Sequence, residues 1–372
     1  MDQGRKIASL AIVGAWMTCG AFATAAPENI SPELEKLLDD SQIPAMAAAV
    51  IVDGDIVAIG ATGIRKVGDR KEVEVDDKFH LGSNTKSMTA VLAAILVKEG
   101  KIKWETTAAE VFTKIKVHES FKDATLAQFL TNTGGTAGNV EGPLWQDLWE
   151  AKGALEKQRL LLVEGTLENP SSYPPGGKYV YSNTGFSIAG AMLEAVTGES
   201  WENLMEENIF QPLKMKSAGF RAPASNRRTD QPYGHHERGG RFVPVDPEPS
   251  GDNPAGIAPA NAVHCNVEDY ARYLQFHLGE LGKDILSGEE RAILYEPTKV
   301  APYAMGWGVT SRPGPDGKSY SHSGSNTMFF TTATFFPSSR NALVVMTNAG
   351  NEEAQVKVQQ TMEKLASQFL PQ

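Results

Sequence analysis

Ser83-Asn84-Thr85-Lys86 stands at the head of an apolar stretch that runs to Gly100, with Met88, Val91, Leu92, Ile95 and Leu96 at helical spacing. That spacing predicts a helix with a strong core-facing stripe. Residues three apart on a helix share a face, so the Lys86 ammonium falls within hydrogen-bond reach of the Ser83 hydroxyl. Serine alone is a weak nucleophile at neutral pH, and a lysine kept neutral by burial or by nearby positive charge can take its proton. The spacing alone decides little, because 23 Ser and 22 Lys in 372 residues give roughly one such pair by chance.

Upstream of it, Ala45 to Val52 and Ile56 to Gly63 are apolar, partly β-branched runs joined by Asp53-Gly54-Asp55, which predicts a hairpin. Ser31 before Pro32 reads as an N-cap and first-turn pair opening a short helix through Leu34, Leu37 and Leu38. Charged residues 65 to 78 read as an edge or loop. Downstream, from about 100 to 295, the signals are mostly helical. Thr125 and Gln128 make a capping box, Pro143 to Val163 reads as a helix, Gly185 to Val196 ends at Gly198, and Trp201 to Phe210 ends before Pro212. Helices resume at the caps Asn266, with Asp269, and Ser287, with Glu290. Between them, residues 221 to 261 are rich in Pro, Gly, Asn, Asp and Arg and read as a long irregular loop with a functional role.

The tail returns to strands at Tyr303 to Thr310, Ser319 to His322, Thr327 to Phe336 and Ala342 to Thr347, before a last helix, Glu352 to Phe369. The fold class is therefore α+β: one antiparallel sheet built from both chain ends, residues 45–80 and 300–350, with flanking helices and a mostly helical inserted domain at about 100–295. The length and a 41% hydrophobic content suffice for a large core.

Residues 1–25 read as a secretory signal: Arg5 and Lys6, the apolar run Ile7 to Met17, then Ala21 to Ala25 with small residues at cleavage spacing. Cys19 follows Trp16, Met17 and Thr18, an approach that speaks against a lipid anchor. The expected location is periplasmic or secreted, with no stable membrane insertion. Removal of the leader leaves 33 basic and 44 acidic side chains and a formal charge of −11, which argues against a nucleic-acid partner. One cysteine, Cys265, remains, so the exported chain forms no internal disulfide.

Two further clusters lift Ser83 and Lys86 above chance. Tyr181-Ser182-Asn183 follows the turn Pro174-Pro175-Gly176-Gly177 and precedes a helix, and His322-Ser323-Gly324 ends a strand. With Ser83 to Lys86, these clusters make the chain resemble the serine β-lactamase and penicillin-recognising superfamily over most of its length. The tyrosine in the second cluster is similar to class C β-lactamases, D,D-peptidases, D-aminopeptidases and family VIII carboxylesterases. Gln211-Pro212-Leu213 through Gly219-Phe220, and Gly306-Trp307, extend the resemblance.

The resemblance implies the β-lactamase/transpeptidase-like fold and an acyl-enzyme on Ser83, with Lys86 and Tyr181 sharing the work of base and acid. It implies a Tyr181 pKa lowered toward neutrality by close positive groups. Asn183 would donate to a substrate carbonyl and help hold Lys86, and the oxyanion hole would be the backbone N–H groups of Ser83 and Ser325. His322, Ser323 and Gly324 would line the substrate site. His322 stands where β-lactamases and D,D-peptidases present lysine, so a permanent cation for a substrate carboxylate is missing, and histidine supplies charge only when protonated. The expected substrates are small neutral esters, amides or short peptides. A class C-like β-lactamase or D,D-peptidase is the alternative, and a non-catalytic binder on the same fold is a third reading. Pro259-Ala260-Asn261 departs from relatives that often have glycine third. No cofactor or metal is called for: His235 and His236 are adjacent, outside any metal-ligand spacing. His80, His118, His264 and His277 read as structural or exposed. No serine lies in a G-x-S-x-G elbow, which removes the α/β-hydrolase route.

Overall fold

The computed structural model describes Met1 and residues 26–311 and 317–371. The leader and Cys19 lie outside the described residues. The main sheet contains β1 (Glu28–Asn29), β2 (Ala45–Val52), β3 (Asp55–Gly63), β4 (Gly308–Ser311), β5 (Lys318–Ser325), β6 (Phe330–Phe336) and β7 (Asn341–Thr347), in the order β1-β3-β2-β7-β6-β5-β4. β1 runs parallel to β3, and the other neighbours are antiparallel. The chain ends meet where β2 pairs with β7, Ala48 opposite Val345. Asp53 and Gly54 have φ of 53° and 90°, the two left-handed positions of a tight hairpin turn whose twist matches its strands.

Both faces of the central strands are buried. Along β2, Ala45, Ala47, Ala49 and Ile51 enter one core while Met46, Ala48 and Val50 enter the other, as the two-residue period of a strand requires. Five helices frame the sheet and the site: α1 (Ser31–Leu38), α2 (Thr85–Lys98), α3 (Asn183–Thr197), α4 (Val267–Leu278) and α5 (Glu352–Phe369). α1 and α5 cover one face through Leu34, Val358 and Leu365. α2 and α4 lie on the other, whose core extends into the helical middle of the chain. Among the described residues no helix is long and apolar enough to cross a membrane.

Several local expectations change in the tertiary structure. Ser31 is already helical and does not cap α1; its hydroxyl accepts from the Ala61 N–H at 3.1 Å and ties the helix to β3. Pro143 to Val163 forms two helices, Gly142–Glu150 and Leu155–Leu167, because Gly153 takes a left-handed φ of 90° between them. Residues 221–261 are not irregular throughout. They hold the hairpin His235–Arg238 with Arg241–Pro244, the turn Ala255–Ile257 and the short helix Ala258–Asn261. Tyr303 to Thr310 is strand only from Gly308, and Thr327, at φ 74°, lies in the turn before β6. Val263–Cys265 joins Phe79–His80 and Gly219–Phe220 in a small sheet that reaches the residues just ahead of Ser83.

Candidate active site

Ser83 sits in the 3-10 turn Gly82–Asn84, one step ahead of α2. A polar network under the turn holds it. Asn84 Nδ2 donates to the carbonyls of Leu81 (3.0 Å) and Thr331 (3.1 Å), and Asn84 Oδ1 accepts from the Tyr270 hydroxyl at 2.9 Å. Ser87 Oγ donates to the Asn84 carbonyl at 2.9 Å and accepts from the Tyr273 hydroxyl at 3.0 Å. The apolar stripe seen in the sequence underestimates the helix: α2 is buried all round from Thr85 to Leu96.

Lys86 is fully buried and has no carboxylate partner among the described residues. Its Nζ lies 3.1 Å from Ser83 Oγ, 2.5 Å from Asn183 Oδ1 and 3.0 Å from the Ala260 carbonyl. Burial pushes its pKa well below the ordinary lysine value. Asn183 Oδ1 and the Ala260 carbonyl can only accept, so a neutral amine spends its two N–H groups on them. Its lone pair is then left facing the Ser83 hydroxyl.

Tyr181 lies on the chain entering α3, with Lys86 Nζ 4.8 Å from its ring centre. Its pKa moves opposite to the expectation. Desolvation raises it well above the ordinary phenol value, the Ser83 hydroxyl opposes the rise, and Tyr179 adds to it, although 37% of the residue remains exposed. Lys86, the candidate for the expected positive charge, and His322, which packs on the Tyr181 ring, are both driven toward neutrality by burial. Tyr181 is a protonated phenol here.

His322 offers no charge to a substrate carboxylate. Strand alternation turns it inward, where it packs against the rings of Tyr181 (6.0 Å between centres) and Tyr303 (6.2 Å). Burial first, and proximity to Lys86 second, push its pKa down to about 3, and its Nδ1 has no partner among the described residues. Ser323, on the opposite face, is exposed and its hydroxyl pairs with Thr332 Oγ1 at 2.9 Å. Gly324 and Ser325 reach the nucleophile. A Cβ on Gly82 would lie 2.3 Å from Ser325 N, and one on Gly324 would lie 2.5 Å from Ser83 N, so the turn and the strand end meet backbone to backbone.

Asn183 donates to Asn139 Oδ1 at 2.6 Å. The cleft over Ser83 encloses about 500 Å³ and is lined by five carboxamides, Asn139, Asn183, Asn253, Asn261 and Asn326, together with Trp145. Among the described residues, Glu141 is the one charged residue on its walls. Asn139, Asn253 and Asn326 carried no usable signal in the sequence, since isolated loop asparagines read as turn residues, and Trp145 read only as part of the apolar pattern of its helix. Asn261, noted as a departure where glycine is frequent, closes a helical turn without left-handed φ and faces the cleft.

A family model described as Beta-lactamase matches residues 31–366. Penicillin-binding protein 4 of Amycolatopsis lactamdurans is 25% identical over 334 residues, 85% of this chain and 84% of that protein. A beta-lactamase of Escherichia coli strain K12 is 27% identical over 269 residues, 71% of this chain and 65% of its own length. The octameric penicillin-binding protein homologue from Pyrococcus abyssi shares the fold at a TM-score of 0.73 and 23% identity, over 90% of this chain and 76% of that one. With its mixed sheet and helices arranged as described, the chain belongs to the beta-lactamase family of serine hydrolases.

Proposed function

We propose that this protein hydrolyses neutral esters or amides through an acyl-enzyme on Ser83. The observation that carries the proposal is the buried, charge-depleted Lys86, whose two acceptor-only neighbours leave its lone pair directed at the Ser83 hydroxyl. As Ser83 Oγ attacks the acyl carbon, Lys86 takes the hydroxyl proton. The carbonyl oxygen becomes an oxyanion and accepts from the backbone N–H groups of Ser83 and Ser325, which the Gly82 and Gly324 contacts bring to one junction. The Tyr181 phenol donates a proton to the leaving alcohol or amine and regains one from Lys86. Water then repeats the sequence on the acyl-enzyme, releasing the acid. Asn183 holds Lys86 and fixes Asn139 on the cleft wall.

Substrate charge follows from the cleft. Among the described residues its walls hold no cation and one carboxylate, and His322 is buried and neutral, so an anionic β-lactam or peptide C-terminus gains no charge-assisted contact there, an interaction of roughly 1.5–3 kcal/mol elsewhere. The leader sequence supports a periplasmic or secreted site of action. The test is kcat/KM for p-nitrophenyl butyrate beside nitrocefin, with fluorophosphonate labelling read by mass spectrometry. The ester should lead, the label should sit on Ser83, and Ser83→Ala should lose both. Efficient nitrocefin turnover would make the protein a β-lactamase, and an unlabelled Ser83 with no turnover would make it a binder.

A further inference from the structure

The oxyanion hole of the proposed reaction takes its two N–H groups from stretches 242 residues apart in the numbering, the turn at Ser83 and the strand end at Ser325. No regular hydrogen-bond ladder fixes one to the other, yet catalysis depends on their spacing to a fraction of an ångström. One buried carboxylate is tied to both. Asp252, 3% exposed and carried on the long loop after residue 221, has Oδ2 3.0 Å from Nε2 of the fully buried His80. His80 Nδ1 accepts the Gly82 N–H at 3.0 Å. The proton of the ring therefore sits on Nε2 and is donated to Asp252, as the chain of contacts permits no other neutral tautomer. The second oxygen, Asp252 Oδ1, accepts from Asn326 Nδ2 at 3.3 Å and from the Asn253 N–H at 2.8 Å. Asn326 follows Ser325 directly, and its own Oδ1 accepts from the N–H groups of Met328 and Phe329 at 3.2 and 3.0 Å, setting the turn that leaves β5.

We infer that Asp252, acting through His80 on one side and Asn326 on the other, is the positioning residue that sets the geometry of the oxyanion hole. This inference rests on the Ser83 acyl-enzyme. A carboxylate buried this deeply costs stability unless every lone pair is engaged, and an apolar contact would hold the loop as well. What an apolar contact would not provide is a fixed histidine tautomer. Asp252→Asn keeps the shape of the side chain, but its amide N–H₂ turned toward His80 forces the proton onto Nδ1, where it meets the Gly82 N–H donor to donor. The turn under Ser83 then loses its acceptor.

The experiment compares the natural protein with Asp252→Asn, His80→Ala and His80→Asn in ester hydrolysis and in binding of an alkylboronic acid, whose tetrahedral adduct on Ser83 uses the oxyanion hole. Asp252→Asn and His80→Ala should lower kcat by about 100-fold, with KM within about twofold, and weaken the boronate by a similar factor. His80→Asn, whose Oδ1 can accept the Gly82 N–H as in an Asx turn, should recover most of the loss. Should Asp252→Asn fail to fold, the His80 pair decides. Wild-type kcat in both Asp252→Asn and His80→Ala overturns the inference, as does a loss confined to the melting temperature. If the natural protein itself takes no label on Ser83, the acyl-enzyme reading fails first, which separates the two outcomes.

Discussion

Gly324 and Ser83 touch through backbone atoms alone: a Cβ added to Gly324 would lie 2.5 Å from the Ser83 amide nitrogen and 2.2 Å from the Leu81 carbonyl oxygen. Neither neighbour is the end of a flexible side chain, so an added methyl must push the strand away from the turn. Gly324→Ala should therefore cost about 1–3 kcal/mol of stability, from overpacking, and more than about 100-fold in kcat, from a widened oxyanion hole. Denaturant midpoints and ester kinetics on the same preparation check it; unchanged kcat would separate the two backbones functionally.

Lys86 should leave its mark on the pH dependence of stability. Its folded pKa is well below the ordinary value because burial penalises the ammonium, whereas the unfolded chain keeps a value of about 10.4. Between those two values the unfolded state binds more protons, so stability rises with pH. Relative to Lys86→Met, the natural protein should gain stability from pH 7 toward pH 10, and a flat difference would contradict a depressed pKa. Lys86→Arg, which cannot lose its proton, should cost about 10²–10⁴ in ester turnover.

Four buried histidines share one acid response. Burial holds His235 and His264 at about 4 and His277 and His322 at about 3, all below the ordinary 6.5. Each is neutral in the fold and protonates in the unfolded chain as pH drops below about 6.5, so stability should fall steadily from there toward pH 4. His322→Gln should shallow that slope without adding or removing an inflection in ester kcat/KM between pH 5 and 8. His322→Lys should move the substrate ratio toward nitrocefin. An inflection near pH 6.5 that disappears in His322→Gln would show that the ring titrates in the working enzyme.

Arg159 predicts a loss of stability with no change in chemistry. The guanidinium is fully buried and grips Glu194 and Glu202, with Nε to Glu194 Oε2 at 2.9 Å and the two terminal nitrogens to Glu202 at 2.9 and 2.7 Å. Glu194 also accepts the Trp201 N–H at 2.7 Å, which fixes the start of the next helix. Arg159→Met leaves two carboxylates facing each other in the interior and should cost about 3–5 kcal/mol. Ester turnover per folded molecule, measured well below the melting temperature, should stay within about twofold.

Elements specified by neighbouring residues were legible in the chain itself. α5 runs over Glu352–Phe369 as its pattern predicts, with Asn351 capping it through the Ala354 N–H, and the Thr125 and Ser287 capping boxes form as spelled. The hairpin turn at Asp53-Gly54, the strands at both ends of the chain and the Ser83 to Lys86 spacing belong to the same class, because each depends on contacts within a few residues or on a simple apolar period. The four-residue helical break at Gly153 and the hairpin at His235 were hidden by composition, since the same turn-forming residues serve irregular loops and ordered turns alike.

The sequence by itself determined which side chains were present to do chemistry and in what order along the chain. Only the tertiary structure decided their protonation and contacts. Lys86 faces Ser83 with its lone pair because Asn183 and the Ala260 carbonyl, 97 and 174 residues away, claim its hydrogens. Tyr181 keeps its proton and His322 loses its own because the packing of the sheet against the helical middle partly desolvates the phenol and buries the imidazole. Proton affinity is set by desolvation and by partners remote in sequence, and neither quantity is written in a local pattern of residues.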